Sequence, residues 1–122
     1  EDKALYHAAA VMACNYLVAL QHAALKLAGA AGIDRQEGLK SLLPLIRGTV
    51  DNLAEVGIPQ CLTGPIARGD VETVRRHLKA IEADVPALLP LYKLLGREAV
   101  EVALAGGTLS KEAAPDLLGM LE

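Results

Sequence analysis

Two short stretches carry side chains that could do chemistry. Between Lys3 and Lys26 an otherwise apolar run is interrupted by His7, Cys14, Asn15, Gln21 and His22. Between Cys61 and Asp70 the chain reads CLTGPIARGD, a turn that offers the Thr63 hydroxyl, the small Gly64 and the Arg68 guanidinium. Arg68 could present its planar fork to a carboxylate or phosphate, assisted by backbone N–H groups after Thr63. The same turn can be read without a ligand. Thr63 then caps a short helical turn begun by Pro65, Gly69 ends it in a left-handed conformation, Asp70 caps the following helix, and Arg68 pairs with Asp70 or Glu72.

On a helical wheel at about 100° per residue, Lys3, His7, Cys14, Asn15, Gln21, His22 and Lys26 fall within one arc of about 140°. The opposite arc carries Leu5, Ala9, Met12, Tyr16, Leu20 and Leu27, wide enough to be covered by several neighbours or by a partner subunit. The polar arc is diluted by Val11, Val18 and Leu25, which reads as a cleft wall or an interface, and a half-buried Lys-His-Asn stripe there needs partners. His7 and Asn15 could equally satisfy neighbouring helix ends while Lys3 and Lys26 reach water along their stems. The three histidines, His7, His22 and His77, have no i, i+4 pairing and no paired Cys/His spacing, so no metal site is expected. Cys14 reads as a small apolar group in mid-helix.

The elements that must position these residues are helices. Asp34 opens a second helix with Glu37 as its capping-box partner, and Pro44 should kink or divide that helix before Gly57. The first is expected from Lys3 to Gly29 and Gly32, the third from Val71 to Ala83, the fourth from Pro86 to Ala105, and Ser110 opens the last. With 122 residues, 52% hydrophobic and lacking Trp and Phe, the expectation is one domain over 1–122: an all-α bundle of five to six helices around a long central first helix.

Twelve basic against fifteen acidic residues give a net charge of −3, with no basic run to meet nucleic acid. Cys14 and Cys61, far apart, suit free thiols in the cytoplasm. The polar interruptions of the first helix argue against a membrane span, and Glu1 at a helix edge reads as the start of a piece cut from something longer.

Taken together, KALYHAAAVMACNYLVAL, LLPLIRGTVDNLAEVG, LTGPIARGD, VRRHL and LYKLLGREAVEVA resemble a helical C-terminal domain of unknown function in bacterial NAD(P)-dependent oxidoreductase-like proteins, where it follows a Rossmann-like domain. It is similar in fold to the C-terminal domains of 6-phosphogluconate dehydrogenase, ketopantoate reductase and pyrroline-5-carboxylate reductase. The resemblance implies substrate contacts, a homodimer interface, and NAD(P) bound by the missing upstream domain. Relatives place a Lys on the first helix with an Asn four residues later; here Lys3 is followed at that spacing by His7, and Asn15 comes two turns further on. That assigns Lys3, His7 and Asn15 to catalysis, with His7 donating a proton and Asn15 holding a carbonyl or carboxylate. Thr63, Gly64 and Arg68 are then substrate-binding, in a cleft shared with His7 and Asn15. No glycine-rich strand–turn–helix occurs in this chain, so nothing in it is expected to bind the dinucleotide and hydride chemistry is incomplete here. The competing reading is a non-catalytic helical module that binds another protein.

Overall fold

The computed structural model describes residues 2–122. The described residues form five helices: α1 (Lys3–Ala30), α2 (Arg35–Val56), α3 (Val71–Asp84), α4 (Leu89–Gly106) and α5 (Ala114–Met120). No strand occurs among the described residues. The all-α expectation holds.

Local signals set most of the boundaries. α1 ends where Gly32 takes φ +91°, its N–H donating to the Gly29 carbonyl while Ile33 N–H donates to Ala28. These two hydrogen bonds, one from the left-handed residue and one from the residue after it, satisfy orphan carbonyls of the last turn. Asp34 Oδ1 accepts from Gln36 N–H at 2.8 Å and starts α2. Glu37, cast as the reciprocal cap, lies instead beside Lys40 Nζ at 3.9 Å. Pro44 sits inside α2 without dividing it. Pro86 opens a single tight turn, Pro86–Leu88, that leads into α4, and Ser110 Oγ accepts from Ala113 N–H ahead of α5.

One feature of α1 departs from its expected regularity. Val11–Asn15 form a π-turn, in which Tyr16 N–H donates to the Val11 carbonyl five residues back. The wider turn puts the wheel drawn at about 100° per residue out of step by roughly one residue beyond Asn15.

The chain divides into two compact units, one ending at Ser41 and the other comprising Leu42–Glu122. In the second unit Val74, Val100, Ala103, Leu109, Ala114, Leu117 and Leu121 form the buried core, with Ile66, Leu78 and Tyr92 packed against it. Arg97 donates to the Leu121 carbonyl and holds the end of α5 to α4.

In the first unit α1 is not a buried central helix. Leu25 is its only buried residue, seated over Gly38 of α2, where an added Cβ would lie 3.0 Å from Leu25 Cδ2. Leu5, Tyr6, Met12, Tyr16, Val18 and Leu20 are all exposed. By length and composition α1 would suffice to cross a membrane, and only 6% of its most apolar window is buried. The physical reason is geometric: Gly38 lets α2 approach Leu25, on the arc that the sequence marks as polar, and leaves the wide apolar arc unpaired.

Candidate functional site

Lys3, His7 and Asn15 are exposed on α1, as is Cys14. They are therefore not the half-buried stripe expected, and water can satisfy them without neighbouring helix ends. Asn15, at the end of the π-turn, lines a groove of about 680 Å³ formed by α1 and the start of α2; neither Lys3 nor His7 belongs to its lining. Its walls include Val18, Leu25 and Leu39, and its polar groups are Asn15, Gln21, His22, Arg35 and Gln36.

The groove has one fixed polar contact, 3.0 Å between Arg35 Nη2 and His22 Nδ1. A guanidinium has no acceptor, so Arg35 donates and the ring nitrogen accepts, which leaves the imidazole proton on Nε2. His22 belongs to the polar arc visible in the sequence. Arg35 looked like an ordinary first-turn residue after the Asp34 cap, and only the turn at Ala31–Asp34 brings it back to His22, thirteen positions earlier.

In the second unit the turn from Thr63 to Asp70 is organised by its own backbone. Gly69 takes φ +69° and donates to the Ile66 carbonyl, Asp70 N–H donates to Pro65, and Arg68 N–H to Gly64. Those three donors are thus engaged within the turn and do not face a ligand. Asp70 caps α3, accepting from Thr73 N–H at 3.1 Å and from the Thr73 hydroxyl at 2.7 Å. The Asp70 carboxyl is held below its ordinary value, first by that hydroxyl and then by the Thr73 N–H, with desolvation opposing and the Arg68 charge adding. Arg68 lies 3.6 Å from Asp70 Oδ2. The ligand-free account thus holds for Gly69, Asp70 and Arg68. It fails for Thr63, which is exposed and caps nothing among the described residues.

Thr63 lines a second, smaller groove of about 320 Å³ with Pro65, Ile66, His77 and Tyr92; Gly64 and Arg68 are not part of it. His77 Nδ1 and the Tyr92 hydroxyl are 2.8 Å apart, their rings edge to face at 6.0 Å. Burial pushes the Tyr92 phenol up. The sequence offers His77 only as an unpaired histidine and gives no sign of Tyr92, because the two are brought together only by α3 packing against α4.

Gly29 and Gly32 close α1, Gly32 N–H donating to the Gly29 carbonyl. No curated protein and no solved structure matches the chain. A family model does match residues 1–99, from α1 into α4, and by that match the chain belongs to the family described as a domain of unknown function, DUF2520.

Proposed function

We propose that this chain is the substrate-binding and dimerisation part of an NAD(P)-dependent oxidoreductase whose nucleotide domain lies elsewhere in the parent protein. The observation that carries the reading is the division of labour on α1. One side borders a groove with converging polar side chains, and the other leaves Leu5, Met12, Tyr16 and Leu20 exposed. An apolar strip along a helix about 42 Å long is of the size that marks an interface in a water-soluble protein.

A second copy of the chain is the partner best suited to it, since a two-fold axis pairs the same strip with itself. Burying the helix in hydrocarbon would also bury His7, Asn15, Gln21 and His22, at several kcal/mol in total. In this reading Lys3 and His7, one turn apart on α1, hold a proton toward a substrate oxygen, and Asn15 orients the substrate from the groove side. The substrate and the upstream domain complete the site. The protein works in the cytoplasm, without nucleic acid and without a metal of its own.

The test is coenzyme binding by the parent. The coding sequence upstream of Glu1 should contain a βαβ unit with a glycine-rich turn, and the parent should bind NADPH at micromolar concentration by calorimetry, while the 122 residues alone should not. Tight binding by these residues alone, or a parent that ignores NADH and NADPH, would overturn the reading in favour of a non-catalytic interaction module.

A further inference from the structure

We infer that the groove between α1 and the start of α2 is a binding site for a small molecule bearing a carboxylate on a short apolar body, with Arg35 as the carboxylate receptor. Three observations converge on it. The first is charge. Arg68, Arg75 and Arg76 each have a carboxylate within 4.0 Å, whereas Arg35, like Arg47 and Arg97, has no carboxylate partner among the described residues; of these three only Arg35 borders this groove, where it contacts neutral His22.

The second is orientation. A guanidinium on a four-bond stem is ordinarily free to sweep, but donation of Nη2–H to His22 Nδ1 at 3.0 Å fixes it against α1 and leaves the rest of its planar fork for a bidentate pair. A neutral acceptor orients the charge without neutralising it, and His22 keeps its Nε2 proton as a further donor.

The third is the cavity. Its volume of about 680 Å³ lies within the range of small-molecule sites, and apolar walls at Val18, Leu25 and Leu39 beside the amides of Asn15 and Gln36 are the usual composition of such a site. A free inorganic anion would be served by the charge but not by the walls; a hydrocarbon would be served by the walls but not by the charge. A short carboxylic acid uses both.

The biological role of such a ligand, as substrate, rests on the function proposed above; the binding itself does not. The experiment is a titration of the 122-residue chain, followed by amide chemical shifts, with 4-methylpentanoate, its methyl ester and inorganic phosphate as probes. The acid should shift residues around Asn15, His22 and Gln36 saturably, with the ester and phosphate at least about tenfold weaker. Arg35→Gln should weaken the acid by about tenfold or more while Arg47→Gln leaves it unchanged. Equal binding of acid and ester, an acid affinity untouched by Arg35→Gln, or no saturable shift would each overturn the inference. If the parent binds NADPH but the chain fails this titration, the carboxylate site is lost and the oxidoreductase reading stands. If the chain binds the acid as described and the parent ignores NADPH, the site stands without it.

Discussion

Replacing Leu5 and Met12 together by Ala should dissociate the proposed dimer while leaving the fold of each chain intact. Within one chain the two side chains are 73% and 68% exposed, so truncating them removes little internal contact. Ala is a strong helix former, and exposed substitutions of this kind change stability by less than about 0.5 kcal/mol. Complete burial of a Leu or Met is worth about 1.5–3 kcal/mol, so covering the remaining two-thirds of each would contribute roughly 1–2 kcal/mol. A two-fold interface contains every substitution twice, and four such losses at the low end come to about 4 kcal/mol, or roughly a thousandfold in dissociation constant. Sedimentation equilibrium from nanomolar to high micromolar concentration measures that constant. Melting followed by circular dichroism should show a concentration-dependent midpoint for the wild-type chain and not for the double variant. A wild-type chain that stays monomeric throughout, or a double variant that associates as tightly as wild type, would refute the reasoning. Association only in detergent or on lipid vesicles would point to a membrane as the cover of this face.

Two further outcomes test the local accounts of each unit. Gly38→Val should destabilise the first unit by about 1–3 kcal/mol, because even a Cβ there stands 3.0 Å from Leu25 Cδ2, and faster hydrogen exchange confined to α1 and the first turns of α2 is the expected readout; unchanged exchange would mean that this close approach does not hold the helices. Asp70→Asn keeps a capping oxygen but removes the charge. The folded Asp70 carboxyl titrates below the ordinary 3.8, so its contribution is complete above that value and is lost as pH falls through the lower folded value. Acid melts should therefore show the wild type losing its advantage over Asp70→Asn in that window, and a difference between the two that is independent of pH would contradict the assigned hydrogen bonds to Thr73.

What the sequence determined by itself was local. The all-α class, the stops at Gly32 and Gly69, the caps at Asp34 and Asp70, and the break before Pro86 depend on bonds between residues at most five positions apart, so residue type and spacing suffice to read them. Pro44 and the π-turn at Val11–Asn15 mark the edge of that legibility. A proline lacks one N–H and still does not end α2, since the turns on both sides carry the helix through. A π-turn leaves no distinctive residue pattern among VMACN, yet it shifts every residue after Asn15 around the helix.

Only the tertiary structure decided which face of α1 is covered. The wheel separates a polar from an apolar arc, but the neighbour chooses between them, and Gly38 lets α2 lie against Leu25. The same approach joins Arg35 to His22 and makes Asn15 part of a groove without Lys3 or His7, while α3 against α4 joins His77 to Tyr92 beside Thr63. These pairs are 13 and 15 positions apart across turns. Their meeting depends on the angles at which helices leave those turns and on the volumes packed between them, which side-chain periodicity along any one helix does not encode.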